Sequence, residues 1–127
     1  MAETHFGVEV QSGSSKSCSI VVAKGPLVLE NLFKFQSAWR GVNDDKLIFD
    51  LSEVPYMDSS AIGSLVNAHV SCTNHGKLMA VAGVRDRVKQ ILTATQVASL
   101  FKFYPDVASA ETALDQATSQ SASSSNK

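Results

Sequence analysis

The sequence lacks the features that mark several common functional classes. Its 11 basic and 12 acidic side chains leave a formal net charge of -1. This balance gives no indication of electrostatic binding to nucleic acid or to an acidic membrane surface. No apolar run approaches the roughly 20 residues that a membrane-spanning helix requires. We therefore expect no nucleic-acid partner and no membrane span.

Cysteine is also scarce, with only Cys18 and Cys72 in the chain. Two thiols so far apart in the sequence form neither a disulfide framework nor a zinc site, because a zinc site needs ligands at short spacings. We expect both thiols to be reduced and mostly buried, and we expect no metal. Residues 1–10 lack the basic start and the apolar core of a secretory signal. The expected location is therefore the cytoplasm.

The usual motifs of catalysis and of phosphate binding are missing as well. The seven glycines are scattered, and they form no nucleophile elbow, no Gly-x-Gly-x-x-Gly pattern and no P-loop. His69 falls on the apolar side of a predicted helix, where a core or half-buried histidine is the more frequent case. A transferase using Ser59 would need a base that the sequence does not name. We expect no cofactor, and a small phosphoryl- or acyl-transfer enzyme that uses Ser59 remains a third alternative.

What the sequence does contain is a regular alternation of strand and helix patterns. Strands are predicted at residues 5–10, 19–23, 46–51, 77–82 and 100–103, and helices at residues 31–40, 59–75, 84–95 and 107–117. This order predicts an α/β fold with a mixed, mostly parallel sheet of about five strands, about four helices and an opening hairpin. We assign residues 1–117 to one domain. Residues 118–127 form a serine-rich tail that is nearly devoid of apolar side chains, which predicts disorder.

The stretch "MDSSAIG", residues 57–63, joins a buried-strand pattern to a helix pattern. Functional sites in α/β sheets gather in such loops at the carboxyl ends of strands. Asp58 is placed to cap the helix, and Ser59 and Ser60 open it where unpaired N–H groups and the helix dipole favour negative charge. A phosphate on Ser59 would be tolerated there and would add about -1.5 to -2 charges at pH 7. Helix capping alone is the simpler interpretation of the same residues.

The helix after this loop is predicted to be two-faced. Its apolar stripe consists of Ile62, Leu65, Val66, His69 and Cys72. Its polar stripe consists of Ser60, Ser64, Asn67, Ser71 and Asn74. Asp50, near the end of the preceding strand, could face the same surface as Asp58. A carboxylate bonded to neighbouring N–H groups is the simpler interpretation of Asp50.

Residues 47–65, "LIFDLSEVPYMDSSAIGSL", resemble the signature of STAS domains, and specifically of bacterial anti-sigma factor antagonists. That signature is a hydrophobic strand ending in Asp-Leu, a short loop, an apolar residue and then Asp-Ser-Ser-Gly-Leu-Gly. Residues 76–114 resemble the second half of the same family, and the similarity extends over residues 5–117. The resemblance implies a STAS-like fold. One departure is Ala61, which stands where the family usually has glycine.

In function, the resemblance implies partner switching controlled at Ser59. An anti-sigma factor that is also a serine kinase would phosphorylate Ser59, and a metal-dependent serine phosphatase would reverse the modification. Unmodified protein would bind the anti-sigma factor and free a sigma factor, and phosphorylated protein would not. The residues expected to contact the partner are Asp58, Ser60, Ala61, Ser64 and Asp50. The Ala61 methyl group could crowd a kinase that approaches the loop. The alternative is a STAS scaffold or transporter-associated subunit that is not phosphorylated.

Overall fold

A computed structural model describes residues 6–14 and 16–125 of the chain, with side chains described through residue 117. The elements in chain order are β1 (Gly7–Ser12), β2 (Cys18–Lys24), α1 (Leu32–Arg40), β3 (Lys46–Glu53), α2 (Ser59–Asn74), β4 (Leu78–Ala82), α3 (Asp86–Ala94), β5 (Phe103–Tyr104) and α4 (Val107–Ser125). Short 3-10 turns at Leu29–Asn31 and Ala98–Leu100 precede α1 and β5. The order confirms the predicted α/β class.

All five strands belong to one sheet, in the order β1-β2-β3-β4-β5. β1 runs antiparallel to β2, which confirms the opening hairpin, and the other three pairings are parallel. Ile20 of β2 is paired with Ile48 of β3, and Ile48 is paired in turn with Ala80 of β4. The carboxyl ends of β2 to β5 therefore meet at one edge of the sheet, and the loops that lead into α1 and α2 leave from that edge.

The sheet is covered on both faces, as the almost continuous apolar run of β3 predicts. Leu47, Phe49 and Leu51 lie in the larger core, which is closed by α1, α2 and α3. Ile48 lies in a smaller core on the opposite face, together with Leu114 of α4. Cys18 and Cys72 are buried and form no disulfide, as expected, and burial raises the pKa of Cys72 although Lys77 opposes the shift.

The last strand was predicted wrongly. The sequence pattern favours residues 100–103, but β5 contains only Phe103 and Tyr104, which pair with Val81 and Ala82 of β4. Phe101 does not extend the strand, because its N–H donates to the Ala98 carbonyl at 3.1 Å and closes the 3-10 turn that precedes β5. Its ring is buried in the larger core against other rings. Its centroid is 5.9 Å from that of His69 and 6.2 Å from that of Phe103, both edge-on.

The last helix also differs from its predicted end. The backbone of α4 continues to Ser125, eight residues beyond the predicted end at Ala117. Residues 126 and 127 of the serine-rich tail lie outside the described residues, and so do the side chains of residues 118–125. The domain boundary near residue 117 and the disorder of the tail stay predictions. Among the helices that the structure describes, none has both the length and the apolar character needed to cross a membrane.

Candidate functional site

Asp58 caps α2, as predicted from its place before the first helical residue. Its backbone is extended, with φ -104° and ψ -177°, which directs the side chain back over the first helical turn. Oδ1 accepts hydrogen bonds from the backbone N–H of Ala61 at 3.1 Å and from the Ser60 hydroxyl at 2.7 Å. One of the N–H groups that the helix start leaves unpaired is thereby satisfied.

The second oxygen of Asp58 binds a different part of the chain. Oδ2 accepts a hydrogen bond from the backbone N–H of Leu29 at 3.0 Å. Two backbone hydrogen bonds join the same two loops. The N–H of Asp58 donates to the Leu27 carbonyl at 3.2 Å, and the N–H of Leu27 donates to the Tyr56 carbonyl at 3.1 Å. The loop that precedes α1 is therefore joined to the loop that precedes α2.

These hydrogen bonds decide the charge of Asp58. Burial raises the pKa of its carboxyl, but hydrogen bonds from the Ser60 side chain and from the backbone N–H groups of Ala61, Leu29 and Ser60 together outweigh burial. The pKa of Asp58 is therefore below its ordinary value, and the side chain is a carboxylate at neutral pH. A carboxylate with a lowered pKa and both oxygens engaged is poorly suited to act as a general base.

The two hydroxyls beside Asp58 are in different environments. Ser60 is half-buried, and its hydroxyl donates to the Asp58 carboxylate. Ser59 is the first residue of α2 and is exposed. The accessible hydroxyl of the pair is therefore that of Ser59, at a helix start that favours negative charge.

Two residues expected at the partner surface lie inside the protein. Ser64 was predicted on the polar stripe of α2, but it is 1% exposed, and its Oγ accepts a hydrogen bond from Nε1 of Trp39 at 3.3 Å. The assignment of Ser64 to the exposed face is therefore wrong, because an α1 side chain supplies a buried donor for its hydroxyl. Ala61 is fully buried in the larger core. Its methyl group faces the protein interior and so does not crowd an approaching enzyme.

Asp50 lies apart from Asp58. Its register neighbours are Val22 and Ala82, both of which pack in the smaller core under α4. Since side chains alternate between faces along a strand, Asp50 points to the α4 face, whereas α2 covers the opposite face. Its Oδ1 accepts hydrogen bonds from the backbone N–H of Ser52 at 3.1 Å and from the Ser52 hydroxyl at 2.7 Å. The simpler interpretation of this carboxylate is confirmed.

Three large apolar side chains on or directly after the two loops that Asp58 joins are exposed, and no sequence motif marks them. Leu29 is 68%, Phe33 80% and Tyr56 39% exposed. Leu29 and Tyr56 belong to the two loops that Asp58 joins, and Phe33 lies one helical turn after Leu29. We call Leu29 and Phe33 the apolar patch. Tyr56 is left out because its ring faces α3, where the Arg87 guanidinium lies 5.6 Å from the ring centroid. A signal was present in the sequence, since Phe33 falls outside the stripe of Leu32, Phe35 and Trp39 that anchors α1.

The described side chains at this edge of the sheet form no metal-binding cluster. Within the described ranges, no group of three or more His, Cys, Asp or Glu side chains is placed to hold a metal ion. His69 is half-buried and packs edge-on against Phe101, as the structural interpretation of that residue predicted. What the edge offers is an exposed hydroxyl, an ionised cap and an apolar patch, which is an arrangement suited to protein binding.

Comparison with known proteins places this arrangement in a family. Residues 9–110 match the model of the STAS domain. The chain belongs to the STAS domain family. Among solved structures, an anti-sigma factor antagonist from Mycobacterium paratuberculosis is similar with a TM-score of 0.81 and 19% identity, over 90% of this chain and 97% of the other.

Two further similar structures show how widely the fold is used. The phosphorylated form of the Bacillus cell fate determinant SpoIIAA has a TM-score of 0.62 and 10% identity, over 87% of this chain and 99% of the other. A sulfate transporter family protein from Wolinella succinogenes has a TM-score of 0.64 and 20% identity, over 80% of this chain and 85% of the other. At such identities the likeness establishes the STAS fold, and the function has to be argued from the site.

Proposed function

We propose that this STAS domain is an anti-sigma factor antagonist that works by partner switching, with Ser59 as the phosphoacceptor. The observation that carries the proposal is the exposed Ser59 hydroxyl at the first position of α2, directly after the capping Asp58. Two neighbours in fold support it, since one is an anti-sigma factor antagonist and the other is a cell fate determinant in its phosphorylated form. In this role the protein is a substrate and a ligand, and not an enzyme.

The choice of Ser59 over Ser60 follows from their environments. A kinase has to bring the acceptor oxygen in line with the γ-phosphate of ATP, which requires a hydroxyl that can enter its active site. The Ser60 hydroxyl would first have to give up its 2.7 Å hydrogen bond to Asp58. The exposed Ser59 hydroxyl needs no such step, and the buried methyl group of Ala61 does not obstruct its approach.

The proposed binding surface combines Asp58, Ser59 and Ser60 with the apolar patch. The patch supplies area that a partner can desolvate, and a few well-packed, desolvated side chains carry most of the affinity of many interfaces. Phosphorylation of Ser59 would place about -1.5 to -2 charges beside the ionised Asp58. A charge of that size, introduced at an interface fitted to a neutral hydroxyl, opposes binding through desolvation and repulsion. Ala61 and Ser64 are omitted from this surface because both are buried.

Two enzymes complete the proposed cycle. The anti-sigma factor is also the serine kinase that modifies Ser59, and a metal-dependent serine phosphatase restores the binding form. Release of the sigma factor then depends on the fraction of this protein that is unphosphorylated. A cytoplasmic location belongs to the same proposal, because the kinase, the phosphatase and the sigma factor all act there.

The proposal is tested by incubating the protein with its cognate anti-sigma kinase and ATP. We expect mass spectrometry to find one phosphate, on Ser59, in the wild type and in Ser60→Ala, and none in Ser59→Ala. Unmodified wild type and Ser59→Ala should bind the kinase, and Ser59→Asp should bind at least tenfold more weakly. No phosphate on Ser59, together with equal binding by Ser59→Ala and Ser59→Asp, would contradict the proposal.

A second candidate is a STAS scaffold or transporter-associated subunit that is not phosphorylated. The observation that favours it is the fold shared with the sulfate transporter family protein from Wolinella succinogenes. In that case the partner would be bound constitutively. Co-purification with a membrane complex or a large assembly, unchanged by Ser59→Asp, would support this candidate over partner switching.

A further inference from the structure

The short last strand leaves one side of β4 open. β5 pairs with β4 only at Val81 and Ala82, so the first half of β4 has no β5 residue beside it. The N–H groups of Val81 and Gly83 donate toward β5, to the carbonyls of Lys102 and Tyr104, both at 2.9 Å. Because N–H directions alternate along a strand, the N–H of Met79 points to the same side, beyond the end of β5.

A cleft of about 410 Å³ follows this open side of β4. It is bounded by α2, which covers one face of the sheet, and by α4, which covers the other. Its apolar lining includes Leu78 and Met79 of β4, Leu114 of α4 and the half-exposed Leu100. The volume falls in the range of small-molecule sites, which are typically apolar clefts with a few polar groups. We call it the β4 edge cleft.

The charged groups of the β4 edge cleft have one sign. Lys77 and Lys102 line it, together with His69. No Asp or Glu belongs to its lining among the residues whose side chains are described, although the chain as a whole carries a net charge of -1. Nζ of Lys77 also donates to the Val42 carbonyl at 3.5 Å, a long contact with which a carboxylate in the cleft would compete. Two lysines beside an apolar surface favour a ligand with one anionic end and an apolar body.

We propose that the β4 edge cleft binds a small amphipathic carboxylate, with the alkyl chain against Leu78, Met79 and Leu114. The carboxylate lies between Lys77 and Lys102, where it also accepts a hydrogen bond from the N–H of Met79. The binding site is distinct from the surface around Ser59, which lies at the carboxyl edge of the sheet. The inference does not depend on partner switching and holds equally for a STAS domain that is never phosphorylated.

The test uses the full chain labelled with ¹⁵N and titrated with octanoate below its micelle concentration. We expect saturable shifts of the amide signals of Met79, Lys102 and Ala113, with little change around Ser59. Neutral 1-octanol should bind at least fivefold more weakly than octanoate. Lys77→Gln and Lys102→Gln should each lower octanoate affinity about two- to fivefold, as expected for a partly exposed charge.

Lys34→Gln is the matched control, because it removes an exposed ammonium group from α1, outside the cleft. It should leave octanoate affinity unchanged, and the amide spectra of all three variants should keep the dispersion of the wild type. Equal binding of octanoate and 1-octanol would overturn the proposal. So would shifts centred outside the β4 edge cleft, or a loss in Lys34→Gln equal to that in Lys102→Gln.

Discussion

The backbone N–H of Leu29 donates to Oδ2 of Asp58 at 3.0 Å, while Oδ1 of the same carboxylate caps α2. One side chain therefore joins two loops at the carboxyl edge of the sheet. The loop that contains Leu29 leads to Phe33, and the helix that Asp58 caps begins with Ser59. The position of the apolar patch relative to the Ser59 hydroxyl thus depends on Asp58.

Replacing Asp58 with alanine should destabilise the domain by about 1–2 kcal/mol. This is the upper part of the range for loss of an N-cap, because the bond to Leu29 is lost together with the cap. Asp58→Ser is the matched control, since serine caps helices nearly as well but cannot serve both loops. Urea denaturation should rank the free energy of unfolding as wild type, then Asp58→Ser, then Asp58→Ala. Equal stability of the wild type and Asp58→Ala would contradict the capping role.

The pH dependence of the free energy of unfolding should reveal the contribution of the ionised Asp58 carboxylate. Its pKa is lowered in the folded protein, so its contribution is complete above the unfolded value of about 3.9 and is lost as pH falls through the folded value. Asn caps helices as well as Asp, so Asp58→Asn removes the charge and retains a cap. The stability advantage of the wild type over Asp58→Asn should be constant near neutral pH and should shrink below about pH 4. An advantage that grows on acidification would contradict the sign of the shift. The pKa of Asp106 is also lowered. Both proteins contain Asp106, so its contribution to the pH dependence cancels in the difference between their stabilities.

The apolar patch should contribute to partner binding and little to folding. Phe33 is 80% exposed and Leu29 68% exposed, so truncating either side chain removes little buried area from the fold. We expect Phe33→Ala and Leu29→Ala each to weaken binding of the anti-sigma partner by about tenfold or more, as for central apolar contacts in other interfaces. Val70→Ala is the control, because Val70 is 47% exposed and lies on α2 outside the patch. Calorimetric titration should separate the variants, and equal affinity of Phe33→Ala and Val70→Ala would exclude the patch from the interface.

The strand and helix patterns were sufficient to predict the central part of the fold. The run that forms β3 and the cap at Asp58 are local signals, because burial on both faces and the demand for a cap are properties of a short segment. The end of the sheet was not predictable in this way. Phe101 is apolar like a strand residue, but its ring packs against His69 of α2, which becomes its neighbour only when the chain has folded.

The candidate site shows the same division between local and tertiary information. Asp58 and Ser59 were placed correctly by the start of α2. Asp50 was placed on the wrong side of the sheet. The side that it faces is fixed by its pairing with Val22 and Ala82 on the neighbouring strands. Ser64 was assigned to solvent because serine is polar, and the donor that satisfies it comes from α1, 25 residues earlier in the chain.

The pair formed by Ser64 and Trp39 provides the last prediction. Ser64 is 1% and Trp39 7% exposed, so Ser64→Ala would leave the indole N–H buried without its acceptor, which costs about 1–3 kcal/mol. Ser71→Ala, on the half-buried side of the same helix, should cost less. The sole tryptophan makes the change visible in fluorescence as well as in urea denaturation. Trp39→Phe removes the donor, so Ser64→Ala should destabilise that background by less than it destabilises the wild type. Equal losses in the two backgrounds would show that the hydrogen bond contributes nothing and that Ser64 is held by packing alone.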